Sequence, residues 1–165
     1  MSDQGGVHHH LAHINVARFK RPKADIANAD FLTALDDVNA AAEAGDGLVW
    51  RFTAAAGDPA DRQAAEDPYR LANLSVWTGL EALKRFTYRD PLHRAMMRRR
   101  REWFERLEVR LALWWVPAGT RPTLIEALDR LERLAGRGPT AAAFTFALPF
   151  DPSGLAVVPS GHDAA

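Results

Sequence analysis

The sequence predicts an α+β domain of the split βαβ, ferredoxin-like type, and three observations carry that prediction. Segments 11–19, 48–53, 71–77 and 109–116 read as strands, the first and third with alternating side-chain character. Helical stripes separate the first strand from the second and the third from the fourth. The resulting order, β-α-β-β-α-β with an extra C-terminal helix, is that of an antiparallel sheet with helices on one face.

Each element has a local reason. The first strand carries Ala12, Ile14 and Val16 on one face and Leu11, His13, Asn15 and Ala17 on the other, until Arg21-Pro22 breaks it. A helix from about Asn28 sets Phe31, Leu35, Val38 and Ala42 on one stripe, and Gly45 and Gly47 end it. The second strand holds Trp50 and Phe52 opposite Val49 and Arg51. Gly57 to Tyr69, with Pro59 and Pro68, reads as a surface loop. In the third strand Leu74 and Val76 oppose Asn73, Ser75 and Trp77.

Thr78 to Glu81 has capping-box spacing and opens a helix; Asp90-Pro91 restarts it in a new direction, to about Leu107. In the fourth strand Trp114 and Trp115 fall on opposite faces. Thr123 to Glu126 repeats the capping box before a helix with Ile125, Leu128 and Leu131 inward, closing at Gly136 or Gly138. Phe144 to Phe146 suggests a short edge strand. The domain therefore spans 11–147, between a flexible leader at 1–10 and a mobile tail at 148–165 rich in proline, glycine and small residues.

Composition bounds the function. The chain has 165 residues, 47% of them hydrophobic and 25% charged, which suits one soluble globular domain. Lys plus Arg and Asp plus Glu both number 21, so the basic excess of a general nucleic-acid binder is missing. The absence of cysteine excludes disulfides, thiolate metal sites and cysteine nucleophiles. Neither a membrane-spanning apolar run nor a secretory signal is present, so the expected location is the cytoplasm, with no membrane or nucleic-acid partner. The His8–His10 run lacks a second ligand set and reads as a solvated leader rather than a metal site. Walker A, G-x-G-x-x-G, G-x-S-x-G and H-E-x-x-H motifs are all absent.

If the aliphatic face meets the helices, the other face carries His13, Asn15, Asn73 and Ser75 beside Leu11, Trp77 and a tryptophan of the fourth strand. Such a mixed patch marks an interface or a ligand cavity. Two protomers packed sheet to sheet would enclose it, so a homodimer is expected.

The stretches AHINVARF (12–19), LVWR (48–51), NLSVWTGLEA (73–82), RRRREWF (98–104), LWWVPAG (113–119) and GPTAAAFTF (138–146) resemble the DUF3291 family. The resemblance implies membership of the dimeric α+β barrels, a group that includes antibiotic-biosynthesis monooxygenases and haem-binding or haem-degrading proteins. Val76-Trp77, Glu81-Ala82 and Asp90 to His93 are similar to a strand–helix stretch of those monooxygenases, which oxidise electron-rich aromatics without metal or flavin. Asn15 and Trp77 stand at positions similar to ones used there.

The leading candidate is thus a cofactor-independent monooxygenase acting on an aromatic or polyketide-like substrate. Asn15 and Asn73 would stabilise an oxyanion, His13 or His93 would accept a proton, and Trp77 would wall the cavity. Ser75, Arg51, Arg100 and Trp103 complete the expected substrate contacts. Within the run Arg98–Arg101, Arg99 or Arg100 must lie at the edge of the apolar stripe, where it can snorkel, pair with a carboxylate or bind an acidic substrate. No cofactor or metal is expected on this reading. Three alternatives stay open: a protein holding haem through His93 or another hydrophobic ligand, a non-redox cyclase or isomerase, and a purely structural dimer.

Overall fold

The computed structural model describes residues 7–107 and 110–158. Its central strand is β1 (His9–Phe19), which pairs antiparallel along one edge with β3 (Arg70–Trp77), from Leu11↔Trp77 to Arg18↔Arg70. Along its other edge lies β5 (Leu111–Pro117), from His9↔Pro117 to Asn15↔Leu111. Where β5 stops, the two-residue β4 (Phe104–Glu105) pairs with Arg18 and Phe19. Beyond β3 lies β2 (Leu48–Arg51), with a bulge between Leu48 and Trp50. The order β2-β3-β1-β5, antiparallel throughout, is the split βαβ arrangement expected from the sequence.

Six α-helices complete the described fold: α1 (Ala29–Ala44), α2 (Pro59–Ala64), α3 (Leu80–Arg89), α4 (Pro91–Arg98), α5 (Arg100–Trp103) and α6 (Leu124–Arg137). Their starts follow the capping logic where a side chain can reach. Asp90 accepts from the His93 amide at 2.9 Å to open α4, and Thr123 accepts from the Glu126 amide at 3.1 Å to open α6. Gly138, with φ of 73°, closes α6 in the left-handed region that favours glycine. Gly47 is needed for a different reason: a Cβ there would lie 2.7 Å from the Ala82 Cβ, so the turn into β2 could not approach α3.

The period-two alternation of β1 and β3 divides the sheet as expected, but helices occupy both faces rather than one. Ala12, Ile14, Val16, Leu74, Val76 and Trp114 pack against Leu124, Ala127 and Leu134 of α6, with Ala64 of α2 at the margin. The crossover helices take the mixed face: Ala42 of α1 and Ala82 and Leu83 of α3 pack on Leu11, Trp77 and Leu113. Each Leu, Ile or Val that the aliphatic rows and α6 remove from water contributes about 1.5–3 kcal/mol. The mixed face, expected to be bare, is thus covered in part by α1 and α3 among the described residues.

Other departures are local. The loop expected at 57–69 contains α2, capped by Asp58 (2.8 Å to the Asp61 amide) with Pro59 in its first turn. Thr78 does not cap α3; Gly79 takes that position, while the Thr78 amide donates to the Gly47 carbonyl at 2.9 Å. The helix expected to reach Leu107 stops at Trp103, because β4 pairs with the end of β1. Val109, the expected start of the fourth strand, lies outside the described residues, as do 1–6 and 159–165 of the leader and tail.

His9 and His10, assigned to the leader, already belong to β1. Phe144 makes a single antiparallel bridge with Leu113 where an edge strand was expected. The described part of the tail folds back: Trp115 Nε1 donates to the Phe150 carbonyl at 2.7 Å, and Asp151 accepts from the amides of Ser153 and Leu155. No helix among the described residues is long and apolar enough to cross a membrane.

Candidate functional site

On the mixed face two polar rows lie between two apolar clusters. Leu11 and Trp77 join Leu83 and Phe86 at one end, and Leu71 and Phe19 join Phe31 and Trp103 at the other. Between them His13 stands opposite Ser75 and Asn15 opposite Asn73, so strand pairing puts all four side chains on one face. The residues read as one constellation in the sequence are one constellation in the fold.

Their hydrogen bonds have a definite direction. Trp77 Nε1, a donor only, donates to Ser75 Oγ at 2.9 Å, and that oxygen lies 3.2 Å from His13 Nδ1. With one lone pair taken by the indole, the serine hydroxyl is free to donate to His13 Nδ1. Its second lone pair can equally accept from a His13 Nδ1–H, so the bond joins the two side chains in either tautomer of the ring. Burial, and secondarily the proximity of His93, push the His13 pKa down to about 4, so the ring is neutral at pH 7.

His93 comes from α4, directly after the Asp90-Pro91 turn. Its ring lies 5.5 Å from Phe86, which in turn lies 5.4 Å from Trp77, so an aromatic file leads from β3 to the helix. His93 Nδ1 is 2.8 Å from the Thr87 carbonyl, an acceptor that fixes the proton on Nδ1 and leaves Nε2 with its lone pair. Burial lowers the His93 pKa, against a smaller upward pull from Thr87 and Asp90. Burial thus keeps both imidazoles neutral, and hydrogen bonding fixes the tautomer of His93.

His93 also lines a cleft of about 270 Å³ with Thr87, Tyr88, Arg94, Met97, Arg98 and Arg100. Sequence reasoning missed Thr87, Tyr88, Arg94 and Met97. The signal was there in part: His93 with Met97, and Arg94 with Arg98, are pairs four residues apart that share a helix face. Among the described residues no group of three His, Asp or Glu side chains could hold a metal ion.

The remaining expected contacts divide. Arg100 does line the cleft, with Nη1 donating to the Met97 carbonyl at 2.8 Å. Arg51 sits in register with Ser75 but is held by Glu43 of α1 at 2.9 Å. Trp103 is not a cleft residue. It is 3% exposed and packs on Phe31 at 5.2 Å, because the break between α5 and β4 turns it into that cluster. Arg99 stacks over it at 4.8 Å while pairing with Glu102 and Asp30, which makes Arg99 the arginine at the stripe's edge.

A second cleft, of about 210 Å³, lies where α2 meets the start of α6, between Trp50, Phe52, Asp58, Asp61 and Arg121. Its buried carboxylate, Asp61, accepts from the Ile125 amide at 3.2 Å and so serves the helix start.

The family model for the domain of unknown function DUF3291 matches residues 10–159, nearly the whole chain, and the protein belongs to that family. A search of curated proteins finds no match. Among solved structures the chain is similar to Rv0793 from Mycobacterium tuberculosis, at 16% identity over 69% of this chain and 99% of that one, with a TM-score of 0.46. It is similar also to PA3566 from Pseudomonas aeruginosa, at 13% identity over 70% of this chain and 100% of that one, with a TM-score of 0.47.

Proposed function

We propose that this DUF3291 protein is a cytoplasmic small-molecule enzyme that takes a proton from an electron-rich aromatic substrate bound beside His93. The observation that carries the reading is the fixed polarity of His93, a cleft-lining ring whose Nδ1–H is held by the Thr87 carbonyl and which is neutral near pH 7, so that Nε2 keeps its lone pair. In this reading His93 removes the phenolic or enolic proton as general base. His13 and the amides of Asn15 and Asn73 lie on the mixed sheet face, outside the lining of the cleft, and are assigned no contact with the substrate. The substrate anion is then the reductant for dioxygen: one oxygen atom enters the substrate and the other leaves as water with two substrate hydrogens.

Haem is the second reading, in which His93, tied through Nδ1 to the Thr87 carbonyl, would hold the iron through Nε2. The donor fits; the room does not. A cleft of about 270 Å³ falls below the roughly 300–1,000 Å³ of ordinary ligand sites, and a macrocycle needs more.

The test is oxygen uptake with electron-rich phenols and enolisable aromatic ketones, run also in deuterated water. Consumption of dioxygen that is lost in His93→Gln and kept in Trp103→Phe supports the proposal. Deuterium exchange without oxygen uptake would replace it by an isomerase or cyclase. A Soret band on adding haemin, lost in His93→Ala, would replace it by haem binding.

A further inference from the structure

From the charges around the cleft, and resting on the reading of that cleft as the substrate site, we infer that its substrate is an aromatic acid. The carboxylate would lie among Arg94, Arg98 and Arg100, with the ring against Met97 and Tyr88, toward His93. Three arginines line the cleft, and no Asp or Glu does. None of the three forms an ion pair with a described residue, although the chain as a whole has equal numbers of acidic and basic side chains. Arg99, which lies between them in sequence, shows the contrast: it is bound to both Glu102 and Asp30.

The arrangement is also ordered. Arg94 and Arg98 are one helical turn apart on α4, adjacent to the His93 and Met97 pair. Like charges at that spacing repel, and an anion between them removes the repulsion. Arg100 is anchored through Nη1 to the Met97 carbonyl, at the C-terminal end of α4, which leaves its remaining N–H groups for a ligand. A planar guanidinium fork matches a carboxylate. The ring is required by the other lining groups: a thioether, a phenol that is 58% exposed and an imidazole make a wall suited to a flat apolar body.

Calorimetric titration of the full chain with para-hydroxybenzoate, phenol and inorganic phosphate tests this. The expected result is a Kd for para-hydroxybenzoate roughly tenfold or more below that of phenol, weakening with salt, with phosphate weaker still. In Arg94→Gln/Arg98→Gln, two exposed positions whose replacement leaves the core intact, that preference should collapse to within about threefold. Equal binding of para-hydroxybenzoate and phenol would overturn the acid assignment while leaving the aromatic site. Phosphate binding as tightly as para-hydroxybenzoate would also overturn it, in favour of an anion patch that ignores the ring. Failure of all three to bind would remove the site itself, and this inference with it.

Discussion

Acidification should destabilise this protein through His13. The ring is part-buried beside Ser75 of β3, to which it is hydrogen-bonded, and its pKa falls from 6.5 to about 4 on folding. The unfolded chain therefore binds the proton first as pH drops. The stability contributed by a neutral His13 is complete above about pH 6.5 and is lost as pH falls toward about 4. At roughly 1.4 kcal/mol per unit the full loss is about 3 kcal/mol; between pH 7 and pH 5 it is about 2 kcal/mol, or less because part of the ring meets solvent.

Urea denaturation of the protein and of His13→Gln at pH 7, pH 6 and pH 5 reads this directly. The glutamine keeps a polar partner for Ser75 but cannot take up the proton. The protein should lose about 1–2 kcal/mol more than the variant across that range, while the m-values agree. The carboxylates with shifted pKa, Glu102 and Asp151, are both lowered and so titrate below this window. Equal pH dependence in the two proteins would refute the argument that burial holds His13 neutral.

Three further outcomes follow from the same contacts. Ser75→Ala leaves the Trp77 indole N–H without its acceptor at a site 7% exposed, so denaturation should show a loss of about 1–3 kcal/mol. Trp103→Ala should cost about 3–5 kcal/mol of stability, yet leave para-hydroxybenzoate affinity unchanged at a temperature where the variant is folded, because the indole belongs to the Phe19–Phe31 cluster. Gly47→Ala should destabilise by about 1–3 kcal/mol in the same assay, since its methyl would collide with Ala82.

Much of the sheet was legible in the sequence because its cause is local. Period two alone places His13, Asn15, Asn73, Ser75 and Trp77 on one face and separates Trp114 from Trp115. The caps at Asp90 and Thr123 are likewise read within four residues. What was not legible depends on distant partners. The stripes of α1 and α6 are both apolar, and nothing within either says which sheet face it will cover. The stop at Trp103 comes without proline or glycine, through pairing of Phe104 with Phe19 across the chain. Thr78 has capping-box spacing, but its amide is drawn to Gly47, another contact outside the local window. The cleft follows the same rule: His93 was visible as a helix-start histidine, whereas its tautomer depends on the Thr87 carbonyl.

The most direct test of the account is a crystal structure of the protein soaked with para-hydroxybenzoate. The ring should lie beside His93 and Met97, with its carboxylate on Arg94, Arg98 or Arg100. The same compound seated instead between Trp50, Phe52 and Arg121, with the His93 cleft empty, would contradict it.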